Sequence, residues 1–278
     1  MSSKQAMRSF CLWVCLVSIL YASQSLANSE MTYRIKLNDK EAGHLIGVYQ
    51  LNEDGSFSLT QTTELTVSGF LQDTNIQGVL IEHHLQDGTL TYSDNRLIHN
   101  DKIFWTKVAL SNNEYLAVHS EVTTSEQKQE KKDVEFVTGT VAHFVPAVGY
   151  ALTLGEILLS DESHAPKNDL FTQDHFDTSF VALPHYWQQA GYTLPPTVAI
   201  FDTENMALFS ANTKKIGRVE LSLKNETIQA QQYLLDIEGE EPINVWLAET
   251  DANIPYFVKI SGQEDNDSYT IQLEGTKE

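Results

Sequence analysis

Alternation of apolar and polar residues at a spacing of two runs through most of this chain, and it limits the possible folds more than any other feature. Residues 31–37 place Tyr33, Ile35 and Leu37 on one side of an extended chain and polar side chains on the other. Residues 218–224 repeat the pattern around Val219, Leu221 and Leu223. Because successive side chains of a strand point to opposite faces, this spacing predicts strands that are buried on one face.

Short turn-forming segments separate these strands at regular intervals. They are Asn38-Asp39, Glu53-Asp54-Gly55, Asp87-Gly88, Asp94-Asn95, Asn112-Asn113 and Asn225-Glu226. Short strands joined by such turns are typical of an antiparallel meander. We therefore predict a mainly β fold: an antiparallel β roll, half-barrel or open barrel, with a short helical insert packed on the sheet.

The predicted insert lies between Asp174 and Asp202. The side chains of Phe176, Phe180, Leu183 and Trp187 follow the spacing of one helix face, and Asp174 or Asp177 is placed to cap its N-terminus. Such an aromatic stripe has to be buried, and the only apolar surfaces to receive it are sheet faces. Pro184 interrupts the stripe, so either the helix kinks there or a second short turn begins with this proline.

The N-terminus has the features of a secretory signal peptide. Lys4 and Arg8 precede an apolar run from Phe10 to Tyr21, and Ser25-Leu26-Ala27 supplies the small residues of a cleavage site. A membrane anchor is the alternative, but the run is shorter than the ~20 residues that span a bilayer. We predict cleavage after Ala27, residues 1–27 as the signal peptide, and a periplasmic or secreted product.

The predicted mature chain, residues 28–278, shows no linker that would separate independent domains. We interpret it as one β-rich domain with a first meander (28–122), a connection with the helical insert (123–195) and a second meander (196–278). Within the connection, residues 134–145 are typical of one more strand, and residues 148–157 of a short helix. The only cysteines, Cys11 and Cys15, lie in the predicted signal peptide, which excludes thiol catalysis and thiolate metal sites from the mature chain.

Charge restricts the possible partners. Loss of Lys4 and Arg8 leaves 16 basic residues against 38 acidic ones, a net charge of −22. This balance argues against nucleic acid and against anionic membrane surfaces as partners. No second segment of the sequence is apolar for long enough to span a membrane, so we expect no transmembrane segment in the mature chain.

The sequence contains no recognised catalytic, phosphate-binding, dinucleotide-binding or zinc-binding motif, so we predict no catalytic residues, no metal and no cofactor. The nearest candidate is Asp174-His175 with Asp177 and His185, since a carboxylate beside an imidazole can serve a base or a metal ligand set. On a helix, however, His175 and His185 do not converge. His83-His84 is the other pair, but neighbours on a strand point to opposite faces and do not share one ion.

Aromatic side chains are the best candidates for ligand contacts, although large aromatics in a β protein are usually core. The predicted ligand-binding residues are Phe176, Phe180, Tyr186, Trp187, Trp246 and Trp105. In this hypothesis the helical stripe covers the sheet as a lid, in the place where an apolar ligand would compete for the same surface.

The second half of the sequence resembles a group of bacterial envelope proteins that are known only as domains of unknown function. The motifs that carry the resemblance are Phe176-Asp177-Thr178, Leu183-Pro184-His185-Tyr186-Trp187, Phe201-Asp202, Val245-Trp246-Leu247, Ile254-Pro255 and Tyr269-Thr270-Ile271-Gln272-Leu273. The strand around Tyr33-Arg34-Ile35 and the small residues Ala42-Gly43 extend it toward the N-terminus. The resemblance implies a secreted antiparallel β roll or half-barrel and supplies no catalytic residues.

Three classes of function are compatible with these observations. The absence of any local catalytic signature favours a non-catalytic binding or carrier module for an apolar or lipid-like ligand or for an envelope partner. The alternatives are an envelope hydrolase or lyase that uses dispersed Asp, Glu and His residues, and a structural or assembly factor of the cell envelope.

Overall fold

A computed structural model describes residues 27–68, 73–99, 102–111, 114–123, 167–172, 176–203, 207–223, 227–250, 253–264 and 267–277. The predicted signal peptide up to residue 26 lies outside these ranges. So do the predicted strand at 134–145 and the predicted helix at 148–157.

The described residues form fifteen strands and one short helix. The first seven strands are β1 (Ala27–Leu37), β2 (Lys40–Leu51), β3 (Phe57–Ser68), β4 (Asp73–His84), β5 (Leu90–His99), β6 (Lys102–Ser111) and β7 (Glu114–Thr123). They are followed by β8 (Lys167–Thr172), β9 (Thr178–Ser179), the helix α1 (Leu183–Gln189), β10 (Thr197–Asp202) and β11 (Ala207–Ser222). The last four are β12 (Thr227–Ile237), β13 (Ile243–Glu249), β14 (Pro255–Glu264) and β15 (Asp267–Lys277).

All fifteen strands belong to one sheet, in the order β8-β7-β6-β5-β4-β3-β2-β1-β15-β14-β13-β12-β11-β10-β9. The two predicted meanders therefore join through the first and last strands, where Ile35 of β1 pairs with Ile271 of β15. Every neighbouring pair is antiparallel except β9 and β10. The predicted mainly β fold with a short helical insert is confirmed.

Among the described residues, side-chain contacts and not a ladder of backbone hydrogen bonds join the β9–β10 end of this sheet to strands near its other end. β4 and β9 are ten places apart in the strand order, yet Glu82 of β4 accepts a hydrogen bond from Ser179 of β9. Likewise Tyr115 of β7 and Phe201 of β10 both contact Phe176, with ring centres 5.2 Å apart in each case. The sheet is thus rolled, and its β9–β10 end packs against the inner side of β4 and β7.

The predicted turns have mixed outcomes. Asn38 and Asp39 both have positive φ, as a tight hairpin turn requires, and Gly55 and Gly88 occupy the same region of backbone conformation. The turn predicted at Asp94-Asn95 is wrong, because β5 continues through both residues. Asp94 is buried there and accepts hydrogen bonds from Trp105 Nε1 (2.9 Å) and the Tyr92 hydroxyl (3.1 Å). These tertiary partners replace the turn that the aspartate would otherwise favour.

The predicted helix is shorter than its aromatic stripe. Phe176 and Phe180 precede α1, because Thr178 and Ser179 pair with Ile200 and Phe201 of β10. Asp177 does not cap the helix, since its Oδ2 accepts a hydrogen bond from the Ala199 amide (2.8 Å). The helix instead begins at Leu183, with Pro184 in its first turn, which corresponds to the second of the two alternatives for this proline.

Candidate functional site

A group of four buried polar side chains lies where the rolled sheet meets itself. Its centre is Glu82 of β4, and its other members are His84 of the same strand, Ser179 of β9 and Thr203, which follows β10. We call these residues the Glu82 cluster. All are between 0 and 4 % exposed.

Three donors converge on the Glu82 carboxylate. The Ser179 hydroxyl donates to Oε2 (2.5 Å), the Thr203 hydroxyl donates to Oε1 (2.9 Å), and His84 Nε2 lies 2.9 Å from Oε2. A buried charge is tolerated only when it is paired and hydrogen-bonded, and this carboxylate meets both conditions.

The contact of the second ring nitrogen of His84 shows that this nitrogen, Nδ1, is a hydrogen-bond donor. Nδ1 lies 3.0 Å from the carbonyl oxygen of Gly88, which can only accept, so Nδ1 carries a hydrogen. With Nδ1 donating to Gly88, a hydrogen bond between His84 Nε2 and Glu82 Oε2 requires a proton between these two atoms, as in an imidazolium–carboxylate pair. A charge-assisted bond of this kind is among the stronger hydrogen bonds in proteins.

A stack of rings connects the Glu82 cluster to the helix. The Phe57 ring is parallel to the His84 ring, with ring centres 4.7 Å apart. Its centre also lies 3.9 Å from the ring centre of His185 of α1. The Tyr49 hydroxyl is 3.3 Å from His185 Nδ1. Burial, reinforced by the positive charge of His84, lowers the pKa of His185 to about 4, although the main chain of Gln86 partly opposes this shift.

This shift makes stability depend on pH. His185 stays neutral in the folded protein down to about pH 4, whereas an unfolded histidine takes up a proton near pH 6.5. Acid therefore favours the unfolded state, and we expect His185 to account for a loss of about 1–3 kcal/mol as the pH falls from 7 to 4. Urea unfolding of wild type and His185→Gln over this range measures it. The variant should lose less stability than wild type, and parallel curves would contradict the assignment.

The Glu82 cluster brings together a serine, a histidine and a carboxylate, the residue types that the enzymatic alternative required. Their arrangement differs from that of a Ser-His-carboxylate triad, because the Ser179 hydroxyl donates to the carboxylate and not to the imidazole. Ser179 is also 1 % exposed, so a substrate would reach it only after the roll opens. Among the described residues, no group of three or more His, Asp or Glu side chains is arranged to hold a metal ion. The geometry therefore suits a structural role, in which hydrogen bonds to Glu82 hold β9 and the end of β10 against β4.

A small apolar cleft lies on the concave side of the sheet, close to the same helix. We call it the apolar cleft. Its lining residues come from β1, β2, β3 and β14, from the first turn of α1 and from the residues just before this helix. They are Met31, Tyr33, Gly47, Val48, Tyr49, Leu59, Thr60, Gln61, Val181, Pro184, Pro255, Tyr256 and Phe257. The cleft has a volume of about 30 Å³, room for one water-sized group.

One polar atom in the apolar cleft lacks a partner. The side-chain oxygen of Gln61 is buried and accepts no hydrogen bond from any residue that the structure describes. Gln61 lies directly opposite Gly47 across β2 and β3, so the two residues face the same side of the sheet. A group that fills the cleft could therefore bring both apolar surface and a hydrogen-bond donor.

The predicted ligand-binding aromatics occupy several separate environments. Phe176 packs between Tyr115 and Phe201, and Phe180 stacks on Phe257 at 5.6 Å. Trp187 is 6 % exposed and meets Tyr192 edge to face at 5.1 Å, while Tyr186 packs against the main core. None of these four is among the residues that line the apolar cleft.

The two remaining predicted residues lie on other strands. Trp246 of β13 is buried beneath Lys259, whose Nζ is 4.9 Å from the ring centre. Trp105 of β6 donates to Asp94 and lies 4.5 Å from Lys107 Nζ. The structure thus does not gather the six aromatics into one pocket, and their role in binding stays a prediction.

The predicted histidines also have different positions. His83 and His84 do point to opposite faces, since His84 is buried and His83 is exposed. His185 faces Tyr49 and Phe57, whereas Asp174 and His175 lie outside the described residues. Sequence reasoning missed Glu82, Ser179 and Thr203. The available signal was Glu82 itself, a charged residue inside the apolar run of β4.

Comparison with known proteins supports the fold. The protein is similar to the crystal structure of the β-barrel-like protein of the domain of unknown function DUF1849 from Brucella abortus, with a TM-score of 0.56 and 8 % sequence identity. The similarity covers 91 % of this chain and 98 % of that chain. No family model matches the sequence, and no curated protein is similar to it. The predicted resemblance to β-rich proteins of unknown function is confirmed at the level of the fold.

Within the described ranges, no helix has the length and apolar character that crossing a membrane requires.

Proposed function

We propose that this protein is a non-catalytic binding module of the bacterial cell envelope, which takes up a small apolar group in the apolar cleft. The observation that carries the proposal is the cleft itself, a space on the concave side of the sheet lined mostly by apolar side chains and containing the unpartnered Gln61 oxygen. The predicted signal peptide supports a periplasmic or secreted location, and the net acidic charge argues against nucleic acid.

The size of the apolar cleft limits what it can hold. Pockets for small molecules usually measure about 300–1,000 Å³, roughly ten times the volume here or more. A whole lipid therefore does not fit in the cleft as its lining residues, Val181 and Pro184 among them, are placed here. The matching occupant is one methyl-sized apolar group, at the end of a partner's side chain or of an apolar ligand, next to an N–H or O–H group that reaches the Gln61 oxygen.

Gly47 offers a direct test. A Cβ atom at this position would be 3.7 Å from Tyr33 Cε2, an ordinary contact, so alanine fits without displacing its neighbours. Its methyl group would occupy much of the free volume. We expect Gly47→Ala to fold, to change stability by less than about 1 kcal/mol, and to abolish ligand-dependent stabilisation. The measurement is the melting temperature with and without an envelope lipid extract, whose acyl chains end in methyl groups of the size that the cleft holds.

The matched control is Gly275→Ala on β15, where a Cβ atom would meet nothing within 4 Å. This variant makes the same chemical change away from the cleft and should keep the wild-type response to ligand. Mass spectrometry of protein purified from its native envelope would identify the occupant. An equal ligand response in wild type and both variants, or none in wild type, would count against the cleft as the binding site.

A further inference from the structure

The second half of β11 has a neighbour on one side only among the described strands. β10 pairs with β11 from Ala207 to Asn212, and the Thr213 amide then donates to the Pro196 carbonyl oxygen (2.8 Å). From Lys214 to Ser222, β11 pairs with β12 alone. Nine residues of strand span about 30 Å, so this is a long edge that is open among the described strands. We call residues 214–222 the β11 edge.

The β11 edge carries positive charge on an acidic protein. Lys214, Lys215 and Arg218 are exposed, and no ion pair involves them in the described part of the chain. The one carboxylate of the edge, Glu220, accepts a hydrogen bond from Gln229 Nε2 (2.8 Å). The protein as a whole has a net charge of −20, so three cations within five residues are a local reversal of sign.

An apolar residue sits among these cations. The register of β11 against β12 shifts between Lys215 and Gly217, which leaves Ile216 as an extra residue in the strand. Ile216 is 49 % exposed, among the most exposed large apolar side chains that the structure describes. The β11 edge therefore presents positive charge, one apolar side chain and, outside Gly217, whose carbonyl oxygen accepts a hydrogen bond from Gln231 Nε2 (2.6 Å), backbone groups that no second described strand pairs with.

We propose that the β11 edge binds an extended acidic segment of a partner protein as an added strand. Strand addition obtains affinity from main-chain hydrogen bonds and specificity from alternate side chains. Here carboxylates of the added segment would meet Lys214, Lys215 and Arg218. Pairing with a second copy of this chain is disfavoured, because it would bring two net-positive edges together. This site is separate from the apolar cleft and does not depend on the function proposed for it.

Lysines on an open edge also have a simpler role, which is to prevent strands of different molecules from pairing. The two roles predict different responses to a ligand. A guarding lysine repels or ignores an added strand, whereas a recognising lysine increases its affinity. Peptide binding therefore decides between them.

The experiment uses the secreted chain and three fluorescein-labelled ten-residue peptides. The first alternates glutamate with valine, the second alternates lysine with valine, and the third repeats the first with N-methyl groups on alternate backbone nitrogens. We expect the first peptide to bind with a Kd in the micromolar range. The other two should bind at least about tenfold more weakly, since one reverses the charge and the other removes main-chain donors.

Charge-matched variants locate the site. The double variant Lys214→Glu with Lys215→Glu should weaken binding of the acidic peptide about tenfold or more. The control Lys36→Glu with Lys40→Glu makes the same change in net charge on β1 and β2 and should bind like wild type. Circular dichroism checks that both variants fold.

Several outcomes would overturn the proposal. They are no binding of the acidic peptide, equal binding of its N-methylated form, and equal weakening by the two double variants. Self-association of the Lys214/Lys215 variant with unchanged peptide affinity would show that the lysines only guard the edge.

Discussion

Replacing Glu82 by alanine is expected to destabilise the fold by about 3–5 kcal/mol. The carboxylate is fully buried and accepts hydrogen bonds from Ser179 and Thr203 while it faces His84. Its removal leaves a buried imidazole and two buried hydroxyl groups without their acceptor, and breaking a buried ion pair on one side has a cost of this size. Urea unfolding at pH 7 measures the loss.

Further variants separate the contribution of the two hydroxyl hydrogen bonds across the strands from that of the Glu82–His84 pair. Ser179→Ala and Thr203→Val each remove one donor to the carboxylate, and each should cost about 1–3 kcal/mol. Glu220→Ala is the matched control, since its exposed carboxylate accepts one hydrogen bond from Gln229 and its loss should stay within about 0.5 kcal/mol.

Hydrogen exchange tests which strands the Glu82 cluster stabilises. If the Glu82 cluster holds the β9–β10 end against β4, Ser179→Ala should increase amide exchange relative to wild type most strongly in Thr178–Ser179 and Thr197–Asp202. The increase in β1 and β2 should be smaller. A uniform increase over the whole sheet would contradict a local tie. A loss below about 0.5 kcal/mol in Glu82→Ala would show that the cluster does not stabilise the roll.

Replacing Trp187 by alanine is the second change with a large expected effect, a loss of about 3–5 kcal/mol. Trp187 is 6 % exposed, belongs to the main core and meets Tyr192 edge to face. Truncation leaves a cavity that the surrounding strands cannot fully close. Thermal and chemical unfolding of the two proteins measure the difference.

The phenylalanine variant is the control for size. Trp187 Nε1 is buried without a hydrogen-bond partner among the described residues, so Trp187→Phe removes an unsatisfied donor together with part of the ring. We expect this variant to lose about half as much as the alanine variant, or less. A loss as large as that of alanine would indicate that the indole nitrogen has a partner.

The same pair of proteins tests the hypothesis that the aromatic segment lines a ligand cavity. If it does, Trp187→Ala should lose less stability, and an envelope lipid extract should partly restore it, because binding to the folded state alone stabilises that state. Since Trp187 does not line the apolar cleft, we expect the large loss and no restoration. Restoration by lipid would support a cavity that forms when the helix moves.

Local sequence signals predicted the elements well where local chemistry controls them. The alternation at Tyr33, Ile35 and Leu37 predicted β1, and the Asn38-Asp39 pair predicted its hairpin, because both depend on neighbours in the chain. The Asp94-Asn95 turn and the long helix failed for the opposite reason. Asp94 finds Trp105 and Tyr92 as tertiary partners, and the residues before α1 pair with β10.

The sequence by itself determined the class of fold, the number and spacing of most strands, and the helix around Trp187. Only the tertiary structure decided which strands meet when the sheet rolls, and hence that Glu82 meets Ser179 and Thr203, 97 and 121 residues away. It also decided that β10 stops pairing at Asn212, so that the β11 edge has β12 as its single neighbour among the described strands. Periodicity reports which face of a strand is buried, whereas contacts across a rolled sheet depend on curvature and register summed over all its strands, which no local pattern records.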